Sequence, residues 1–457
     1  MSITPKAAEQ SLKTHLSASI KLGLPLVGTF LASMLMGVTD TLMVGRLGAE
    51  PLAAAVLANQ LFFFLTIAGI GLASAVMPMA ATALGRNDIA SMRRSVRMGF
   101  WAVLIYAIIV MPILFFAEPI FGFLGQADPL PAMTQSYLDI AMWALIPTVI
   151  VMVLRSYLSV VGLANMVLLI TLAAAGLNAV LNYAFIFGNW GMPAMGLRGA
   201  AIATLGSSSL SAVVLLVFAA SKKSLREHTL FVRWWRPDWP AFIEVIRLGW
   251  PIALSLIAEI SLFSFSAIMV GWFGVIALAS HGIVLQIIAM AFMIPLGLSQ
   301  VGTIRIGLAK GHGNNLEIAQ AGKAVYILGL VMSFATILVL VLLPETLVNI
   351  FIGKNSPDAA EILSYAIPFL AIAAAFQLVD SLQVLSAGLL RGLSDTRVPM
   401  QIAIFAYWMI GVPMAYILSK YTSLAANGVW IGLAIGLAVA AFLSTRRYIR
   451  RKTLGLV

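Results

Sequence analysis

The chain has 457 residues, of which 61% are hydrophobic and 10% are charged, and its mean hydropathy is +1.01. This composition excludes a soluble globular protein. The net charge of +11 could indicate nucleic-acid binding in a soluble protein, but here the basic residues lie in short loops between apolar runs, where they indicate orientation in a membrane. We therefore expect membrane lipids as partners and no nucleic acid.

Apolar runs recur along the whole chain, and each is long enough to cross about 30 Å of hydrocarbon as a helix. The first run follows a polar leader without a small-residue cleavage site, so we interpret it as a retained span. The breaks predict twelve helices, near residues 20–44, 52–83, 97–117, 135–160, 166–187, 196–219, 244–271, 278–308, 323–345, 361–390, 400–419 and 428–445. The expected fold is an all-α polytopic membrane protein with both termini on one side.

The distribution of Lys and Arg predicts the orientation of these helices. Of the 28 basic residues, only Arg46, Arg198, Lys354 and Lys420 fall in loops on the side opposite to the termini. Because positively charged loops stay in the cytoplasm, the termini and the long central loop are predicted to be cytoplasmic. The protein is expected in the cell (inner) membrane.

The two halves of the chain form an internal repeat without a gap. The sequence LGLP at 22–25 matches LGWP at 248–251, and MVG at 43–45 recurs at 269–271. Each half has six helices, so both halves enter the membrane from the same side and form parallel repeats around a central cleft. The predicted domains are an N-terminal lobe at 1–220, a cytoplasmic linker at 221–247 and a C-terminal lobe at 248–457.

The segment from 221 to 250 alternates basic residues with four Trp. It could be interpreted as a nucleic-acid patch, but a basic, Trp-rich segment beside a span more often lies on anionic headgroups. We favour the interfacial interpretation.

Three acidic residues lie well inside predicted helices, whereas the others fall in loops, tails or helix ends. They are Asp40, Glu259 and Asp380. No Lys or Arg appears equally deep in the sequence, so a buried salt bridge does not explain them. Since an ionised carboxylate in hydrocarbon costs at least ~2.5 kcal/mol, neutralisation by a proton or an inorganic cation is expected.

Asp40 is predicted to lie at the same depth as three neutral oxygen-bearing residues. Asn178 and Asn182 are four residues apart and share a helix face, and Thr204 reaches a similar level from the next helix. These oxygens suit a hard cation such as Na⁺, or the hydrogen-bond shell of a protonatable acid. Alternatively, the Asn and Thr side chains only join helices.

Further features are compatible with transport, each with a structural alternative. Pro25, with its repeat-mate Pro251, removes a backbone hydrogen bond and permits a hinge or a static kink. Flexible or aromatic side chains could line a substrate cleft, although packing is the more common fate of such residues. The candidates are Met36, Phe265, Met269 and Met293.

No motif predicts an enzyme. The sequence has no Walker loop, no GxSxG and no HExxH, and its four His are scattered. The absence of Cys excludes disulfides, a thiol nucleophile and a thiolate metal site. We expect no catalytic residues, no cofactor, and no metal beyond a possible Na⁺ at Asp40 or at Glu259 and Asp380.

Several segments together resemble the multidrug and toxic compound extrusion (MATE) family, in its NorM-like bacterial branch. The most specific are DTLMVGRLG at 40–48 and LNAVLNY at 177–183, and the resemblance covers essentially the whole chain. It implies twelve helices in two lobes and export of cationic, amphiphilic compounds in exchange for Na⁺ or H⁺. The matching residues are Asp40, Asn178, Asn182 and Thr204 for a first-lobe cation site, Glu259 and Asp380 for the second-lobe acids, and Pro25 for the bending proline of the first helix.

One residue departs from the pattern of this family. Phe376 stands where some Na⁺-linked relatives have Tyr, one turn before Asp380. Phenylalanine offers no oxygen ligand, which favours proton coupling in the second lobe.

The expected function is a secondary antiporter, acting as a monomer, that exports lipophilic cations in exchange for H⁺ or Na⁺. A flippase for a lipid-linked saccharide is the alternative. A carrier of anionic headgroups would be expected to have Arg or Lys in its cleft, whereas the deep positions here are acids. A receptor that transports nothing would leave the three acids without a purpose.

Overall fold

The computed structural model describes residues 11–352 and 358–457, in which all regular structure is helical. Lys6 and Lys354, which contribute to the predicted charge distribution, lie outside these residues. The α-helices are α1 (Leu12–Gly45), α2 (Ala49–Gly85), α3 (Ile89–Phe115), α4 (Ala117–Phe123), α5 (Leu130–Ala141), α6 (Leu145–Val160), α7 (Ala164–Phe187), α8 (Leu197–Ser221), α9 (Lys223–Arg226), α10 (Trp239–Gly271), α11 (Val275–Gly311), α12 (Asn315–Leu342), α13 (Pro344–Asn349), α14 (Ala359–Gly392), α15 (Arg397–Ile404), α16 (Val412–Tyr421) and α17 (Ala426–Ile449).

Twelve helical segments of the described chain are long and apolar enough to cross a membrane, which confirms the predicted fold class. Two of these segments are interrupted. The fourth consists of α5 and α6, joined by a 3₁₀ turn at Met142–Ala144. The eleventh contains seven π-helical residues, Phe405–Gly411, between α15 and α16. π-Helical segments such as the one at Phe405–Gly411 are frequent at functional sites.

The internal repeat is also present in the helix termini. Gly48 and Gly274 precede α2 and α11 with φ angles of 117° and 110°, a conformation that glycine adopts without a Cβ clash. Asp88 caps the start of α3 by accepting a hydrogen bond from the Ser91 amide, and Asn314 caps α12 in the same way through the amides of Leu316 and Glu317. The repeat therefore preserves the signals that begin and end its helices.

The helices form two compact units that exchange the first halves of α1 and α10. Of the described residues, unit 1 contains 11–27, 255–352 and 358–457, and unit 2 contains 28–254. The chain therefore passes from one unit to the other only inside α1 and inside α10. The linker at 221–247 belongs entirely to unit 2. This division by contact differs from the division by repeat at 220 and 248, which stays a prediction.

Glycines allow the exchanged halves to pack closely within each unit. In unit 2, a Cβ on Gly71 of α2 would lie 2.6 Å from the Ala253 backbone nitrogen of α10. In unit 1, a Cβ on Gly297 of α11 would lie 2.9 Å from the Val27 backbone nitrogen of α1. The two contacts are related by the repeat. They attach the first half of each leading helix to the second helix of the other repeat.

This packing predicts that Gly297→Ala destabilises the protein. The added methyl group would meet the Val27 backbone, which must shift, and overpacking of this kind costs about 1–3 kcal/mol. The control is Gly282→Ala in the same helix, where a Cβ meets nothing within 4 Å and where alanine should be neutral or slightly stabilising. Thermal unfolding of the purified protein in detergent should separate the two variants. Equal stability would contradict the contact.

Candidate functional site

A buried polar cluster in unit 2 joins α1 to α7 through Asp40. The Asn182 side-chain amide donates a hydrogen bond to the Asp40 carboxylate, and it also donates to Asn178 Oδ1 at 3.1 Å. Both Asn side chains are fully buried. The spacing of four residues places them on one face of α7, as predicted. Three of the four residues expected at this site therefore lie together.

The fourth residue, Thr204, lies beside a tyrosine that the sequence did not single out. Tyr137 of α5 is 5% exposed, and its hydroxyl donates to Asn59 Oδ1 at 3.3 Å. The Tyr137 hydroxyl also interacts with the Thr204 side chain and is close enough to Asp40 for the charge of its carboxylate to act on it. Thr204 itself donates to the Ala200 carbonyl at 3.1 Å, inside α8. Asn59 and Tyr137 belong to different helices, so no spacing within one helix could have paired them.

A small cavity adjoins this cluster. It is lined by Asp40, Thr41, Asn59 and Tyr137 together with apolar side chains, and its volume is about 10 Å³, which suffices for one water molecule or one ion of similar size. Among the described residues, Asn182 Oδ1 accepts no hydrogen bond and Asn178 Nδ2 donates none. A carboxylate, an uncommitted amide oxygen and nearby hydroxyls can solvate a proton-carrying acid or provide oxygen ligands for Na⁺.

A second polar cluster lies in unit 1 on α10, α14 and the π-helical segment. Asp380 is 3% exposed, and Gln377, one turn before it, is fully buried. The Glu259 carboxylate is close enough for its charge to act on Asp380 and on the Tyr407 hydroxyl. Within the described part of the chain, Asp380 Oδ1, the Tyr407 hydroxyl and both polar atoms of the Gln377 amide lack hydrogen-bond partners. So many unsatisfied groups at one buried place indicate a site for a polar ligand or ion.

A basic residue lies near the deep acid Glu259, although the ion pairs among the described residues do not include Glu259. The Arg391 guanidinium is close enough to interact electrostatically with the Glu259 carboxylate. The predicted helix ended at residue 390, whereas α14 continues to Gly392 and carries Arg391 in its last turn. Arg155 lies inside α6, within the helix predicted at 135–160, with its guanidinium 4.0 Å from the centre of the Phe30 ring.

The remaining candidate residues pack in the apolar core or lie at half-buried positions. Phe376 is 1% exposed and stacks on Trp430 at 6.0 Å, so this position contributes to the apolar core. Met269 is also fully buried in that core. Its predicted place on a cleft wall is not seen in this conformation and stays a prediction. Phe265 packs against Trp408, and Met36 and Met293 are half-buried.

Comparison with known proteins identifies the family. The MatE family model matches the chain twice, over residues 25–184 and 251–417. The two matches begin at the repeat-mates Pro25 and Pro251. The chain belongs to the MATE family. This confirms the resemblance, and it makes the protein a multi-pass membrane transporter rather than an enzyme.

Individual relatives of this MATE chain match over almost its full length. A probable multidrug resistance protein NorM of Rhizobium meliloti (strain 1021) is 47% identical, over 97% of this chain and 95% of that protein. The protein of the same name from Agrobacterium fabrum (strain C58) is 41% identical, over 95% of this chain and 94% of that protein.

Solved structures support the same fold. An outward-facing multidrug resistance MATE transporter of the MOP superfamily aligns with a TM-score of 0.88 over 100% of this chain and 99% of that chain, at 23% identity. A MOP superfamily transporter from Pyrococcus furiosus, described as having a binding pocket of reverse polarity, gives a TM-score of 0.87 at 22% identity, over 100% of this chain and 99% of that chain. At these identities the alignments show the fold alone.

The unsatisfied atoms of Gln377 predict an unusual response to mutation. Gln377→Met should leave the free energy of unfolding unchanged or raise it by about 1–3 kcal/mol, because it removes a buried amide without hydrogen bonds. Ser381→Ala in the same helix is the contrast. Ser381 accepts a hydrogen bond from the Ser333 hydroxyl at 2.6 Å, so its loss should destabilise by about 1 kcal/mol. If Gln377→Met unfolds at a lower temperature than wild type, Gln377 is a structural residue.

Proposed function

We propose that this chain is a secondary active antiporter that exports cationic amphiphilic compounds in exchange for H⁺ or Na⁺. The observation that carries the proposal is the Asp40 cluster, in which the Asp40 carboxylate accepts a hydrogen bond from the fully buried Asn182 amide, and this amide also donates to the fully buried Asn178. The ion pairs recorded among the described residues do not include Asp40. An acid in this environment is stabilised by gaining a proton or a cation, and this requirement links ion binding to the conformation of α1 and α7.

The ion and the exported compound are exchanged because they favour different conformations of the protein. They do not need to react with each other. A conformation that shields Asp40 from water is favoured when the carboxylate carries H⁺ or Na⁺, whereas the ionised carboxylate favours a conformation open to water or to a cationic compound. For Na⁺, the ligands would be the Asp40 carboxylate and the side-chain oxygens of Asn178, Asn182 and Thr204. For H⁺, the same groups would hydrogen-bond the protonated acid. Glu259 and Asp380 provide a second place for the same chemistry in unit 1.

Charge determines the substrate class that we propose. Unit 2 offers Asp40, and unit 1 offers Glu259 and Asp380, which attract lipophilic cations and repel anions. The names of the relatives, multidrug resistance proteins, are consistent with such substrates. Met36, Phe265 and Met293 are proposed as adaptable contacts for varied drug shapes. A flippase for lipid-linked saccharides is the alternative, and the Arg391 guanidinium near Glu259 is the one observation that favours it.

We also propose the orientation and the moving parts. Loops with most of the basic residues are placed in the cytoplasm, so both termini are cytoplasmic and the protein resides in the inner membrane as a monomer. Pro25 is proposed as a hinge, because α1 changes unit between Val27 and Gly28, less than one turn after this proline.

Dye efflux from proteoliposomes tests the proposal directly. We expect that an imposed H⁺ or Na⁺ gradient drives export of a lipophilic monocationic dye, and that an anionic dye of matched size is exported much more slowly. Imposing each gradient separately identifies the coupling ion. Export of both dyes at equal rates would support the flippase alternative.

Asp40→Asn tests the coupling residue. The variant should fold, because it replaces a half-buried carboxylate by an amide of similar volume, but gradient-driven efflux should fall by about tenfold or more. Asn178→Ala and Asn182→Ala should reduce it less, since each removes a neutral partner. Glu50→Gln is the control, because Glu50 is exposed in the first turn of α2. Efflux that survives intact in Asp40→Asn would transfer the coupling role to Glu259 and Asp380.

A further inference from the structure

An apolar groove lies in unit 2, where the linker folds back over three spanning helices. Its volume is about 430 Å³, which is within the range of small-ligand pockets. Almost all of its surface is contributed by apolar atoms. The residues that define it are Phe100 and Leu104 of α3, Ile150 of α6, Val217 of α8, and Phe231 and Trp234 of the linker.

The linker is held over this groove by specific contacts. The Arg97 guanidinium donates to the Arg233 carbonyl at 3.1 Å, and the Trp101 indole donates to the Trp234 carbonyl at 3.2 Å. The Trp234 ring lies 5.0 Å from the Phe100 ring. One end of the groove is therefore fixed by aromatic rings from the linker.

Positive charge surrounds this same end. Arg97 precedes Phe100 by one turn of α3, and the charges of Arg93, Arg94 and Arg236 act on it. The Lys222 amino group lies over the Phe218 ring, just beyond the groove residues of α8. Across segments 86–97 and 222–247 there are ten Lys and Arg but only four Asp and Glu. The acids therefore leave most of this positive charge uncompensated.

Some of these basic groups have unused donors. Within the described residues, Arg93 Nε and Arg97 Nε make no hydrogen bond, although Arg97 is only 6% exposed. The Arg233 and Arg236 side chains are exposed beside Trp235, which is 76% exposed. An apolar groove between spanning helices, with cationic donors and an exposed Trp at its loop end, has the polarity of a phospholipid.

We propose that this groove binds one anionic phospholipid from the leaflet on the linker side. An acyl chain occupies the groove along α3 and α8, and the phosphate interacts with the arginines at its loop end. The bound lipid attaches the linker to the membrane surface and fills the space between the linker and the spanning helices. This site is separate from the Asp40 cluster, and it does not depend on which ion drives transport.

The test measures lipid binding to the purified full chain by native mass spectrometry in detergent. Phosphatidylglycerol and phosphatidylcholine with the same acyl chains are titrated separately. We expect wild type to retain one phosphatidylglycerol with an affinity at least about tenfold above that for phosphatidylcholine, since the basic residues at the loop end of the groove attract an anionic headgroup. Equal affinities for the two lipids would overturn the proposal.

Two pairs of variants separate the groove from its charged end. Val217→Trp should fill the groove and abolish retention, whereas Val213→Trp, on an equally exposed position of α8 outside the groove, should not. Arg233→Gln with Arg236→Gln should weaken phosphatidylglycerol binding about tenfold. The same change at Arg446 and Arg450, exposed near the C-terminus, should have no effect. Retention that is unchanged in Val217→Trp would place the lipid elsewhere.

Discussion

The cost of placing a carboxylate in an apolar interior is the constraint on which the proposed chemistry depends. With only 10% charged residues in the chain, each buried acid must be stabilised by particular neighbours. Asp40 accepts hydrogen bonding from Asn182, which is itself fully buried. Asp380 and Gln377 instead leave polar atoms without described partners. In the first cluster a neighbouring side chain already hydrogen-bonds the acid. The second cluster has unpaired polar atoms that can bind a further polar ligand or ion.

The repeat separates what the fold requires from what the function requires. Gly48 and Gly274 have the same left-handed backbone, and Gly71 and Gly297 permit equivalent close contacts. The acids do not follow this symmetry. The repeat-mate of Asp40 is Ser266, whose hydroxyl donates to the Phe263 carbonyl within its own helix at 2.7 Å. Backbone geometry is thus common to both halves, whereas each half has its own arrangement of charge.

Sequence patterns predicted the helices and the repeat because hydropathy and glycine positions depend on local physics. The spacing of four residues placed Asn178 and Asn182 on one helix face, and Asp40 was assigned to them by its equal depth and by the family resemblance. The sequence patterns missed Tyr137, Gln377 and Tyr407, whose roles depend on which helices are neighbours. They also missed the exchange of helix halves between the units, because the approach of Gly297 to Val27 is a contact between distant segments. The depth of a residue along its helix predicts its level in the membrane, but it does not predict which helix lies beside it.

The exchange of helix halves gives Pro25 and Pro251 a structural role that the sequence alone did not indicate. The chain connects the units through two continuous helices, and the crossings lie within about one turn after Pro25 and Pro251, between Val27 and Gly28 and between Leu254 and Ser255. A proline removes one backbone hydrogen bond and lowers the cost of bending at that point. The glycine contacts hold the first half of each helix in one unit, while Asp40 and Glu259 lie on the second halves in the other unit. A change in the charge of either acid therefore acts on a helix that can bend between two anchored ends.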